Sequence, residues 1–173
     1  MKTLKTLCLI AALAVASAVN AQDLKFAHVD SEKLIADLPE KLAAEKELQD
    51  EAKKLEDQMT VMNNELQQKY QEYINGRETM PDLIRQTKEK EIRDAQDRLT
   101  SYQQMAQQSL AQKEQQLLTP IIEKVQKAID EVGKENGFIY IFDINPQVAQ
   151  VILYHSDKST DASSLVRAKL GLK

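Results

Sequence analysis

Cysteine occurs once in these 173 residues, at Cys8, and tryptophan not at all; four glycines and four prolines complete the short supply. Each shortage excludes something. Cys8 lies in the apolar N-terminal stretch, so the chain beyond it has no disulfide, no thiolate metal site and no cysteine nucleophile. The missing tryptophan removes the strongest stacking residue, and a formal net charge of −4 is the wrong sign for sequence-independent nucleic-acid binding. No glycine-rich phosphate loop, nucleophile elbow or zinc signature is present. His28 and His155 are the only histidines, and a shared metal or acid–base role needs a third partner that no motif supplies. Carboxylates abound, but on periodic segments where solvation explains them. No residue pattern calls for an enzyme or a cofactor.

What is present begins with "MKTLKTLCLIAALAVASAVNA". Lys2 and Lys5 precede an apolar run, and Val19 and Ala21 occupy the small-residue positions of a secretory signal peptide cut before Gln22. Residues 1–21 are therefore expected to be removed. Without Lys2 and Lys5 the charge balance moves to about −6.

Glycine and proline act as punctuation. Neither occurs over residues 40–75 or 82–119, and both stretches consist of strong helix formers. The first carries a seam at alternating four- and three-residue steps, Leu48, Ala52, Leu55, Met59, Met62 and Leu66, with Tyr73 continuing the phase beyond Lys69. That is the 3.5-residue period of a coiled coil. The second answers with Ile92, Ala95, Leu99, Tyr102, Ala106 and Leu110. Asn75-Gly76 is a stop signal, and Pro81-Asp82 suits an opening helical turn. The expectation is an antiparallel helical hairpin over residues 40–119, with its tip near residues 75–82.

Pro120 is expected to kink or restart the helix, and Ile121, Ile122, Val125, Ile129 and Val132 then form a fuller apolar face up to Asn136-Gly137. Residues 138–144 follow, apolar except for Asp143 and in need of cover on both faces. A strand over 148–155, joined through "NPQ", is expected to pair with them as a hairpin. Residues 24–30 are the other good strand and are expected to join 138–144 across the helical excursion. A closing helix, capped at Thr160 or Asp161, is expected to bury Leu165, Val166 and Leu170. Residues 22–39 and 120–173 thus form a small body with a thin core, which suggests burial between subunits. The oligomerisation candidates are Phe26, Val29, Phe138, Ile139, Ile141, Val151 and Leu153.

The arm's seam is poor in large residues and rich in Ala, Met and Tyr, which suits loose packing and adaptable contacts. The functional reading is contact with variable, unfolded clients through Met59, Met62, Leu66 and Tyr73, and for Met59, Met62 and the tyrosines interhelical packing is the simpler one. Tyr70, Ile74, Met80, Leu83 and Ile84 crowd the turn, where a hairpin has least partner surface to bury them, and are the stronger client-binding candidates. Lys69, Arg77, Arg85, Lys88, Lys90 and Arg93 make the tip slightly basic. Solvated i,i+4 pairs explain them, with weak contact to an anionic membrane surface as the alternative.

The succession "AHVDSEKLIADLPE", a long low-glycine hairpin, "LLTPIIEKVQKAIDEVGKENGFIYIFD", "VILYHS" and a closing "RAKLGL" resembles the Skp/OmpH family of periplasmic chaperones along essentially the whole chain after residue 21. The resemblance implies a periplasmic homotrimer: a small intersubunit β-barrel carrying three helical tentacles around a cavity. That cavity would hold unfolded outer-membrane proteins and prevent their aggregation without ATP. The acidic charge argues independently against a nucleic-acid partner, and no motif calls for a cofactor. Two departures stand out. Basic members of the family carry positive tentacles associated with lipopolysaccharide, whereas this chain is acidic, so that site is not carried over. The lead into the last helix reads "DKSTDASS", which leaves its start open. The competing reading is an envelope coiled-coil adaptor that binds a folded partner or the membrane surface.

Overall fold

A computed structural model describes residues 24–146 and 152–172. The described chain is mainly helical. Its elements are β1 (Lys25–Val29), α1 (Ser31–Ala36), α2 (Pro39–Gly76), α3 (Asp82–Asn136), β2 (Phe138–Asp143), β3 (Thr160–Asp161) and α4 (Ser163–Leu170). They divide into two compact units. One comprises the described residues up to Glu32 together with those from Lys127 onward, and the other runs from Lys33 to Gln126.

In the first unit the sheet order is β2-β1-β3, with β1 parallel to both neighbours. Phe26 pairs with Tyr140, Ala27 with Ile141, His28 with Phe142 and Val29 with Asp143, after a register irregularity between Lys25 and Phe26. The expected union of residues 24–30 with 138–144 is therefore present. Strand alternation sends Ala27, Val29 and Ile141 to one face and Phe26, His28, Tyr140 and Phe142 to the other. The first face is the core. Ala27 and Val29 are buried, as are Ala128 and Val132 of α3 and Ala162 and Val166 around the start of α4. The helix lies close enough that a methyl group on Gly133 would sit 3.5 Å from Ile141 Cδ1.

Asp143, the polar exception in β2, has a structural task. Its carboxylate accepts hydrogen bonds from the Ser31 N–H at 3.2 Å, from the Ser31 hydroxyl, and from the Asn145 N–H at 3.0 Å. It thereby satisfies the first turn of α1 and ties the end of one strand to the exit of the other. Gly137, at φ +68, makes the left-handed turn that ends α3 and starts β2. Lys169 of α4 bridges to Glu135 at 2.5 Å and to Glu131 at 3.1 Å, and the Glu135 hydrogen bond leads in raising the lysine's pKa.

Other expectations differ from the structure. The anticipated strand over 148–155 falls partly on residues 147–151, outside the described residues, and the described residues 152–155 adopt no strand. Among the described residues the third strand is instead Thr160–Asp161, where a helix cap is expected from the sequence. Asp161 does serve the next helix as well, its Oδ1 accepting the Ser163 N–H at 2.9 Å. Leu165 is exposed and Leu170 half-buried, so Val166 alone anchors α4 in the core. Pro120 neither ends nor restarts a helix: it sits inside the 55-residue α3. It can supply no N–H to the Gln116 carbonyl, and beside it Thr119 Oγ1 donates to the Gln115 carbonyl at 2.7 Å.

The second unit contains an antiparallel pairing of α2 with the N-terminal part of α3. Cross-helix ion pairs fix its register: Lys69–Glu91, Arg98–Glu65, Lys113–Glu47 and Lys124–Glu40. Each step toward the N-terminus of α2 is matched by a similar step toward the C-terminus of α3. Leu48, Ala52, Leu55, Met59, Met62, Leu66 and Tyr73 are all half-buried, as are Ile92, Leu99, Tyr102 and Leu110 opposite them. Ala44, Ala95 and Ala106 are buried, since a methyl side chain lets the backbones approach closely. Lys69 belongs to the seam too, half-buried along its stem with its ammonium 3.7 Å from Glu91.

The turn at the hairpin's end closes differently from a left-handed glycine cap. Gly76 does not adopt positive φ, and the Thr79 and Met80 N–H groups donate back to its carbonyl at 3.0 and 3.1 Å. A Cβ there would stand 2.5 Å from the Met80 methyl, the far end of a flexible side chain, so the methionine packs directly over the glycine.

Candidate functional site

Two surfaces expose large apolar side chains in clusters. The first is the hairpin tip. Tyr70 and Ile74 are each 51% exposed, Leu83 74% and Ile84 47%. All four are exposed; Tyr70 and Ile74 each follow a seam position, Lys69 and Tyr73, by one residue and so flank the seam. Met80 is half-buried, its methyl packed over Gly76. Met59, Met62, Leu66 and Tyr73 are half-buried in the interhelical seam, so the structure separates the nine sequence candidates into four exposed tip residues and five packed ones.

Polar contacts hold the turns behind the tip. Tyr73 donates a 2.6 Å hydrogen bond to Glu89, and that bond, ahead of burial, raises the phenol's pKa. Lys88 lies 3.4 Å from Glu72 and 3.6 Å from Glu91, while Arg85 pairs with Asp82. With Lys69 beside Glu91, three cations of the slightly basic tip are thus matched by carboxylates. The four apolar side chains therefore stand on a supported scaffold with little uncompensated charge from these groups.

The second surface is the sheet face opposite the core. Phe26, Tyr140 and Phe142 stack on it, with centroids 6.3 Å apart for Phe26–Tyr140, 6.4 Å for Phe26–Phe142 and 5.7 Å for Tyr140–Phe142. Tyr140 is 59% exposed and the two phenylalanines 37% each. Residues 152–159 border this face across a groove of about 510 Å³ lined by Phe26, His28, Phe142, Tyr154 and His155, among others.

Of the oligomerisation candidates, Phe26, Ile139 and Leu153 are exposed on the described surface. Phe138 and Ile141 are half-buried, Ile141 toward Gly133. Val29 is corrected: at 2% exposure it belongs to the chain's own core and has no surface to give a second copy. Val151 lies outside the described residues. Sequence reasoning missed Tyr140 and Phe142 because it treated 138–144 as uniformly buried. Their parity follows only from the β1–β2 register, in which Phe26 pairs with Tyr140 and His28 with Phe142.

Among the described residues no three His, Cys, Asp or Glu side chains gather as a metal site, and no helix is long and apolar enough to cross a membrane. Comparison with known families then decides the relationship. The family described as "Outer membrane protein (OmpH-like)" matches residues 25–170. The chain belongs to the OmpH-like family. Its curated relatives include the chaperone protein Skp of Photorhabdus luminescens, 28% identical over 158 residues, covering 91% of this chain and 93% of the relative. The Skp of Pectobacterium atrosepticum is 26% identical over 133 residues, covering 77% and 80%. The Skp of Yersinia enterocolitica is 25% identical over 133 residues, covering 77% and 81%. The OmpH-like match spans residues of both compact units.

Proposed function

We propose that this protein is a periplasmic, ATP-independent holdase chaperone that captures unfolded outer-membrane proteins between helical arms and keeps them from aggregating. The observation that carries the reading is the hairpin. Its seam is half-buried and rich in alanine and methionine, and its tip presents Tyr70, Ile74, Leu83 and Ile84 to solvent. Scattered apolar groups on a surface where Lys69, Arg85 and Lys88 are matched by carboxylates suit segments of variable sequence better than one folded partner. The curated relatives named as chaperones, at 77–91% coverage of this chain, support the same role.

Association into a homotrimer belongs to the proposal. The aromatic sheet face supplies apolar surface of the kind subunits bury, in a unit whose own core is small. The N-terminal leader is proposed to direct export and to be cut before Gln22. With Lys88 and Arg85 matched by acids, weak attraction to anionic membranes is at most an accessory property.

The test compares one β-barrel protein in two states, urea-unfolded and pre-folded in detergent, for co-sedimentation with this chain. Binding of the unfolded state alone supports the holdase. Binding of the folded state alone overturns it and makes the protein an envelope adaptor.

A further inference from the structure

The hairpin changes character toward its tip. Up to Leu66 the seam of α2 is apolar, and opposite it Ala95, Leu99, Tyr102 and Ala106 of α3 are buried or half-buried. Beyond Leu66 the pattern inverts. Large apolar side chains face solvent there, while Lys69 and Tyr73 of α2 and Arg85, Lys88 and Glu89 of α3 are half-buried. The Lys69 and Lys88 side chains are 26% and 30% exposed, against 73% and 74% for Lys53 and Lys54 nearer the base of the arm. Ile92, and Met80 packed over Gly76, remain half-buried beside them.

Polar contacts close this distal section. Lys69 lies 3.7 Å from Glu91, Lys88 lies 3.4 Å from Glu72, and Tyr73 donates to Glu89 at 2.6 Å, each contact crossing from one helix to the other. We infer that residues 69–92 form a jaw of their own, held shut chiefly by charge, which opens while the apolar seam behind it stays closed.

The two parts of the arm differ in what resists opening. Partly exposed ion pairs stabilise little, and salt screens them. Buried apolar layers stabilise more, and salt does not screen them. Ion pairs also cross nearer the base, as in Glu65–Arg98 and Glu47–Lys113, but there they flank an apolar seam that remains when they are screened. The helix ends that form the jaw are too short to persist alone in water, so parting them unwinds them and frees their backbone amides. Opening lets Tyr70 and Ile74 move apart from Leu83 and Ile84, so the exposed cluster can follow client segments of different shape. That consequence rests on the tip as the capture surface; the opening itself does not.

Hydrogen exchange of the purified chain, followed by mass spectrometry, tests the jaw. No client is present, so the outcome does not depend on whether the protein binds one. Peptides within residues 69–92 are compared with peptides within 45–66 and 95–113, in about 0.05 M and about 1 M sodium chloride. At low salt the jaw peptides are expected to exchange at least about tenfold faster than the seam peptides. High salt is expected to speed the jaw a further threefold or more, and the seam by less than about twofold. Lys69→Leu with Lys88→Leu makes the distal seam apolar, and is expected to slow jaw exchange by about tenfold or more and to remove its salt response. Equal protection along the whole arm overturns the inference, as does jaw exchange that salt leaves unchanged. Jaw exchange in a folded double variant that matches wild type also overturns it. If the double variant does not fold, the wild-type comparison decides alone.

Discussion

Replacing Tyr70, Ile74, Leu83 and Ile84 together by glutamine should separate client capture from stability. Glutamine is a good helix former, and all four positions are exposed on long helices. The fold therefore loses little, about 0.5 kcal/mol or less per site. Client binding should lose much more. Fully burying one side chain of this size is worth roughly 1.5–3 kcal/mol, and these four retain between about half and three quarters of their surface for a client. That leaves about 1–1.5 kcal/mol per residue, or roughly 5 kcal/mol for the cluster. Ordering four side chains on binding takes back about 0.5–1 kcal/mol each. The surplus is about 1–3 kcal/mol, a roughly 5- to 150-fold weakening. Fluorescence anisotropy of a dye-labelled, urea-unfolded barrel protein, titrated with wild type and variant, reads the ratio. Circular dichroism and a thermal melt confirm that the helices persist. A variant that remains helical and binds as tightly as wild type would refute the tip as a capture surface and move attention to the seam.

Other perturbations probe the scaffold. Leu34→Ala, at a side chain 1% exposed, should cost about 2–5 kcal/mol in denaturant unfolding. Pro120→Ala gives the Gln116 carbonyl a donor inside α3 and should raise the melting temperature, with up to about 3 kcal/mol of added stability. Lys113→Ala removes an exposed cross-helix pair with Glu47 and should weaken the fold only slightly, with the difference in melting temperature shrinking further in high salt. Asp161 carries the pH dependence. The Ser163 side-chain hydrogen bond, then the Ser163 backbone N–H, holds its carboxyl below the ordinary carboxylate range against the opposing effect of burial. A depressed folded-state pKa stabilises above the unfolded value and is lost as pH falls through the folded one. Asp161→Asn should therefore be less stable than wild type near neutrality, with the difference in melting temperature vanishing below about pH 3.

Much of the hairpin was legible because its signal is periodic. A 3.5-residue repeat states which side chains meet, and the seam from Leu48 through Tyr73 is half-buried in α2. Even the apparent defect at Lys69 fits, since a long aliphatic stem can lie in the seam while the ammonium reaches Glu91. The pairing of β1 with β2 was legible because an apolar strand needs a neighbour and only one other segment qualified. Parity along β2 was not, since a run apolar on both faces hides its alternation. Tyr140 and Phe142 consequently escape a reading by composition, and Val29 falls on the wrong side. Pro120 is deceptive for a different reason. Proline's cost is local, about 3 kcal/mol, and flanking turns packed through Ile121 and Val125 can carry a helix across it. The third strand is illegible because two residues carry no period, and their pairing depends on His28 lying across from them. Nothing in the spacing of His28 and His155 announces that their rings stack.

The measurement that bears most directly on the chaperone role is light scattering. A urea-unfolded outer-membrane barrel protein is diluted into buffer containing this chain and no nucleotide. Suppression of aggregation, complete near three chains per client, is the predicted result. Undiminished scattering with well-folded protein and more than one barrel client would contradict it.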